Sequence, residues 1–376
     1  MTVYALDGVI RPYAWGSRTE IPALLGIAPT GVPAAELWYG AHPGDPSRVG
    51  DSTLDKLIAV EPERLLGSSV VQTLGPQLPF ILKVLAADTA LSIQVHPNLA
   101  QARAGYAAED ARGLPRDAPQ RNYKDANHKP ELLCALTEFD ALCGFRPVET
   151  TLRLLDVLEL AWLRDVLAGD GLRAAFTALV SLDEPVPMVE AVVARLPRLA
   201  GTEWAPLGDA LTRVARDFPG DIGIAEALLL NFVRLVPGEA IFLAAGNVHS
   251  YLSGMGVEIM ANSDNVLRCG FTQKHVDVAE LLRITDFTEL AEPRWPAVDG
   301  AFHLPVPDFT LSVVDGAARL ADPVPRIVLP IEAPVRIEAE RAVVELDRGR
   351  AAFVAADEAA VNVRGTGRTF VAGTGL

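Results

Sequence analysis

In Leu91-Ser92-Ile93-Gln94-Val95-His96-Pro97, apolar and polar residues alternate. On a strand, Leu91, Ile93 and Val95 face one way and Ser92, Gln94 and His96 the other. Burying hydroxyl, amide and imidazole together costs roughly several kcal/mol unless partners satisfy them. A bound cation satisfies a Gln oxygen and a His nitrogen at i and i+2. Taken alone, the segment is an ordinary strand with one face in solvent. A second segment, Asn127-His128-Lys129-Pro130-Glu131-Leu132-Leu133-Cys134-Ala135-Leu136, sets Glu131 at the mouth of a strongly apolar strand. A third, Ala244-Ala245-Gly246-Asn247-Val248-His249-Ser250-Tyr251, turns at Gly246-Asn247 and then presents His249 and Tyr251 on one strand face. Singly, Glu131 is a strand-end charge and His249 a plain surface or core residue. Together the segments supply two imidazoles, a carboxylate and an amide oxygen. That set suits zinc or another divalent first-row ion, with room for a water or substrate oxygen.

Further along, the alternating run Gly256 to Asn262 ends in the polar turn Ser263-Asp264-Asn265, followed by Arg268 and, six residues on, Lys274. Guanidinium and ammonium groups are the usual partners of phosphate, so this pair points to an anionic substrate. The competing arrangement pairs Arg268 with Asp264 and leaves Lys274 in solvent.

The elements that must position these residues follow from the pattern. Residues 1–147 read predominantly as sheet, with a capped helix over Ser52 to Val60 and strands over Pro79 to Leu85 and Leu91 to His96. From about Val148 to Val233 the apolar spacing becomes helical, as in Leu152, Leu155 and Leu158, broken at Gly169, Asp170, Pro185, Pro187 and Pro197. After Leu235 strands return, apart from a helix near Val276 to Ile284. The stretch Leu235 to Ala245 has the same layout as Leu346 to Ala356, each with Leu, a turn Gly three residues on, then Ala, Phe and two Ala. This repeat points to two jelly-roll barrels of the cupin type. Ala360 stands where the first copy has His249, so only the first barrel holds a metal there. The expected fold is therefore mainly β with a helical insert. Residues 1–147 and 235–290 form the metal-binding domain, 148–234 the insert, and 291–376 a C-terminal β domain.

Composition bounds the rest. A chain of 376 residues, half of them hydrophobic, is long enough for two or three packed units. With 33 Lys and Arg against 48 Asp and Glu, the net charge is -15 and no basic run gathers. Nucleic acid is therefore not an expected partner. The N-terminus lacks a secretory pattern, and no apolar run approaches the ~18–20 residues of a membrane helix. A cytoplasmic protein without membrane partners is expected. Cys134, Cys143 and Cys269 are odd in number and lie in apolar stretches, which reads as buried, reduced thiols. Oligomeric state is not set by the sequence; a monomer satisfies it.

The segments Ser92 to Pro97, His128 to Glu131, Asn247 to Tyr251 and Ser263 to Lys274, with Tyr13-Ala14-Trp15-Gly16 and Glu36-Leu37-Trp38, resemble those of type I mannose-6-phosphate isomerases. The match is ordered and spans about residues 10–290. The resemblance implies one zinc ion per chain, held by Gln94, His96, Glu131 and His249, and a catalytic Arg268. It also implies substrate-site roles for Trp15, Glu36, Lys83, Ser92, Lys129, Tyr251, Glu258 and Lys274. Two departures touch the sugar pocket. Ala14 replaces the acid of Tyr-Asp-Trp-Gly, and Arg-Ala-Gly-Leu-Thr-Pro-Lys is here Arg268-Cys269-Gly270-Phe271-Thr272-Gln273-Lys274.

The implied reaction interconverts mannose 6-phosphate and fructose 6-phosphate through a cis-enediolate. Arg268 is assigned to stabilising the developing charge. Proton transfer falls to Glu258, Lys129 or a zinc-bound water, with Glu258 preferred because it lies on an enclosed strand face. Ser92 and Lys274 take the phosphate. The alternatives are a non-catalytic phosphosugar-binding cupin and an isomerase for another sugar or sugar phosphate.

Overall fold

The computed structural model describes residues 2–340, 342–358 and 360–376. It is a mixed structure of helices with two large antiparallel sheets, one of ten strands and one of eight, and among the described residues neither closes on itself. The expected barrels are thus present only as open sheets.

The ten-stranded sheet is organised on the thirteen-residue strand His249–Ala261. Its second half pairs with Phe80–Ala87 on one side and Glu131–Ala135 on the other. Its first half pairs with Phe139–Phe145 and, at His249, with Ile93–Val95. Gly254 marks the changeover, with φ +117 and a backbone so close to its neighbour that a Cβ would lie 2.5 Å from the Glu138 carbonyl oxygen. Only glycine satisfies both conditions. Phe80–Ala87 is buried throughout, consistent with its almost unbroken apolar run, and Glu36–Gly40 covers its other edge.

The eight-stranded sheet is built from the C-terminal third, with one exception. Val3–Leu6, placed by the sequence reading in the first unit, pairs with Ala351–Val354. One core joins the two sheets, with Tyr39, Leu82, Val84 and Val257 beside Phe309, Ile327, Leu329, Phe353 and Phe370. The repeat noted in the sequence has matching local structure. Gly238 and Gly349 both take positive φ, and the strands Ala240–Leu243 and Ala351–Val354 follow, fully buried.

Helices Val148–Val157, Ala161–Val180, Val186–Val193 and Ala205–Asp217 fill the insert. The break in the second falls at Gly171 (φ 81) rather than at Gly169 or Asp170. Leu155, Leu163, Phe176, Val192 and Leu211 share a core with Ile93, Val95, Leu267 and Phe271. The insert therefore backs the strands bearing Gln94 and Arg268.

The first 147 residues are more helical than their pattern implied. Besides Leu54–Val60, helices cover Glu20–Leu25, Pro62–Leu66, Ser68–Leu74 and Leu99–Ala111. The last begins in a capping box, Asn98 with Gln101. Thr53, at the cap position of Leu54–Val60, makes no capping hydrogen bond. The three cysteines are free and buried, and no described helix is long and apolar enough to cross a membrane.

Candidate active site

His249 lies directly opposite Gln94, and Gln94 lies opposite Arg268 on the strand Leu267–Gly270. Residues facing each other across an antiparallel pair send their side chains to the same face, with Cβ atoms about 4.5–5.5 Å apart. His249, Gln94 and Arg268 thus form a row across three strands. Glu131 reaches the same place from the strand Glu131–Ala135, whose first residue is registered against Met260.

His96 Nε2 stands 3.4 Å from Glu131 Oε1, and His249 Nε2 stands 3.5 Å from Glu131 Oε2. The Nδ1 atoms lie 2.7 Å from the Asn265 carbonyl oxygen and 2.9 Å from that of Asn247. A carbonyl only accepts, so Nδ1 of each ring carries a proton, and a ring with no second proton keeps its lone pair on Nε2. Burial, reinforced by the Lys129 charge, pushes the His96 pKa down to about 4, so the ring stays neutral. The Nε2 atoms of both rings and Glu131 Oε2 are buried without a hydrogen-bond partner among the described residues. Donor atoms from the three residues lie within 4.8 Å of one another. Orphaned lone pairs gathered at one point, with the Gln94 amide on the same face, fit a divalent cation.

Lys129 Nζ lies 2.8 Å from Glu131 Oε1. Burial by itself raises the Glu131 pKa, but the adjacent Lys129 charge leads the opposing influences, and the carboxyl is held well below its ordinary range.

A second polar cluster sits beside the first. Lys83 is registered between Trp38 and Glu258. Its Nζ is 3.1 Å from Glu258 Oε2 and 3.7 Å from Glu36 Oε1, with the Trp38 ring centroid at 5.1 Å. Tyr251 Oη donates to Glu258 Oε1 at 2.8 Å, and Trp38 Nε1 donates to Glu36 Oε2 at 2.7 Å. Burial raises the Glu258 pKa against the opposing pull of Lys83, while Glu36 and Glu258 overcome burial to keep Lys83 charged.

Residues 3–148 match the model of the phosphomannose isomerase type I catalytic domain. The mannose-6-phosphate isomerase of Salmonella typhimurium is 38% identical over 96% of this chain and 96% of its own. That of Escherichia coli is 36% identical over the same shares. A crystal structure of mannose 6-phosphate isomerase bound with zinc and yttrium superposes with a TM-score of 0.92, covering 100% of both chains at 36% identity. The chain belongs to the type I phosphomannose isomerase family.

Arg268 is half-buried, and desolvation lowers its pKa. It does not pair with Asp264, whose oxygens lie 3.5 Å from His42 Nε2 and 3.5 Å from Arg116. Lys274 is exposed, and the charge of Arg268 is the main cause of its lowered pKa. Trp15 stacks on Tyr13 with ring centroids 5.8 Å apart and packs against the apolar cluster that contains Tyr251. Ser92 is half-buried just ahead of Ile93–Val95.

Several contributors escaped the sequence reading. The Asn247 and Asn265 carbonyls that orient both imidazoles are backbone groups, invisible to a search by residue type. Asn265 was read only as part of a polar turn, yet its buried side chain accepts from Lys124 N and donates to the Asn127 carbonyl, pinning that loop to the turn.

Proposed function

We propose that this chain interconverts D-mannose 6-phosphate and D-fructose 6-phosphate with one zinc ion, held by Gln94, His96, Glu131 and His249. The observation that carries the reading is the set of orphaned donors on His96, Glu131 and His249, buried beside a cation, Arg268, that has no acidic partner among the described residues. A bound zinc supplies Lewis acidity and a positioning template for the sugar oxygens.

The residues of the chain divide the remaining work. Lys129 neutralises Glu131 and keeps it ionised as a ligand. Glu258 takes the proton from C2 and returns it to C1, its carboxyl oriented by Tyr251 and Lys83. Its raised pKa suits a group that must accept and release a proton in turn. Arg268 faces the negative charge that builds on the cis-enediolate oxygens, in surroundings drier than bulk water. Glu36 fixes Lys83, Trp15 borders the sugar, and Ser92 and Lys274 receive the phosphate. The net charge of -15 repels a dianion at long range, so these local cations dominate near the pocket.

The wider reading treats the open sheets as two cupin-type jelly rolls. The metal-binding unit comprises residues 1–147 and 235–290, the insert 148–234 and the C-terminal unit 291–376. A cytoplasmic enzyme is part of the same reading, supported by three thiols that form no disulfide.

The test is isomerisation of mannose 6-phosphate by purified protein, before and after chelator treatment and after zinc is restored. Chelator-sensitive turnover recovered by zinc is expected. Tight zinc binding without turnover of any sugar phosphate overturns the reading in favour of a binding protein.

A further inference from the structure

The turn after Leu267–Gly270 is held from the insert by a single carboxylate. Asp221 Oδ1 accepts from Gly223 N and Phe271 N, both at 2.8 Å, and Oδ2 accepts from Thr272 N at 3.1 Å. Successive backbone N–H groups converging on one anion form a nest, here filled by a side chain of the chain itself. The contact surfaces are shaped for it. A Cβ on Gly223 would come within 2.8 Å of the Phe271 ring, and one on Gly270 within 2.5 Å of Gly223 Cα. Phe271 is buried against Phe218, with ring centroids 5.5 Å apart, and takes φ 51, a left-handed conformation unusual for a residue with a Cβ. Such a conformation persists only where its surroundings enforce it. Arg268 needs no such help, since the ladder to Gln94 fixes it. Lys274 lies beyond the turn and outside the ladder, and among the described residues only its own N–H is bonded, locally to Thr272 Oγ1 at 3.1 Å.

We infer that Asp221 is a positioning residue for the phosphate end of the substrate. By fixing the Phe271-Thr272 turn it sets where Lys274 stands, so the helical insert contributes to substrate affinity as well as to the core. The inference rests on the reading above that Lys274 receives the phosphate.

Asp221→Asn tests it with little change in size. The amide keeps the Oδ1 bonds but turns a donor toward Thr272 N, itself a donor. In the zinc-loaded enzyme KM for mannose 6-phosphate is expected to rise about tenfold, with kcat and zinc content close to the parent. Lys274→Ala is expected to raise KM as well. In the double variant the two effects should fall well short of multiplying, because both act through one side chain. An unchanged KM in Asp221→Asn, a loss confined to kcat, or effects that multiply would overturn the inference and leave the phosphate reading standing. An unchanged KM in Lys274→Ala would remove the phosphate reading itself. If Asp221→Asn does not fold, the same cycle is run with Asp221→Glu, which keeps the charge and both acceptors on a longer arm. It carries the same expected and overturning outcomes.

Discussion

Lys129 Nζ and Glu131 Oε1 stand 2.8 Å apart in the buried interior, and the same oxygen faces His96 Nε2 at 3.4 Å. Glu131 thus answers two cationic demands at once, the ammonium and the metal site. Glu131→Gln removes the charge that both need. Zinc affinity should fall by no less than ~10–100-fold, measured as zinc retained on dialysis against a competing chelator. The metal-free variant is left with a buried ammonium that has lost its partner, which costs about 3–5 kcal/mol. A metal-free variant as resistant to denaturant as the metal-free parent would show that Lys129 finds its counter-charge elsewhere.

Arg268 makes no ion pair with Asp264, which is engaged by His42 and Arg116. Its charge is therefore not committed to holding the fold. Arg268→Ala should lower kcat by about 100–1000-fold, the usual size of a lost transition-state charge partner. Unfolding free energy should stay within about 0.5 kcal/mol of the parent. Comparable losses of stability and turnover would instead make Arg268 a structural residue.

The contrast between these two sites shows what the sequence makes legible. Gln94 and His96, or His249 and Tyr251, are i and i+2 on one strand, and period-two alternation places each pair on a common face without knowledge of the fold. The chemistry of Arg268 was legible too, but its placement opposite Gln94 was not, because cross-strand register is a long-range property. The Lys83, Glu36 and Glu258 cluster draws on three strands, so its ion pairs had no local signature. At the level of the fold, Val3–Leu6 pairs with a strand some 350 residues away, as its register with Ala351–Val354 shows. No neighbouring residue could announce that pairing.

Glu258 carries the proton-transfer assignment, and both its oxygens are already engaged, one by Tyr251 Oη at 2.8 Å and one by Lys83 Nζ at 3.1 Å. Glu258→Gln preserves the shape and removes the base. Turnover should fall ~100-fold or more, with zinc content unchanged. Tyr251→Phe, which only frees one oxygen, should have a much smaller effect. Near-normal turnover in zinc-loaded Glu258→Gln would leave the carboxyl with an orienting role alone.

The pH dependence of stability should be governed in part by a carboxyl outside the reaction. Glu226 is completely buried beneath the strand that carries Arg268, with the Cys269 thiol beside it and no cationic partner among the described residues. Burial pushes its pKa from 4.5 up to about 8. The folded state therefore binds a proton that the unfolded chain releases above about pH 4.5, and stability must decline as pH rises through that interval. The associated stabilisation is complete below pH 4.5 and is lost once pH passes about 8. At ~1.36 kcal/mol per pH unit, that interval is worth roughly 5 kcal/mol. Glu226→Gln replaces the neutral acid by a neutral amide of similar shape and abolishes the titration. Denaturant unfolding of the two proteins should nearly coincide near pH 5 and diverge in favour of the variant toward pH 9. Parallel stability curves across that range would mean that Glu226 is already ionised in the folded protein.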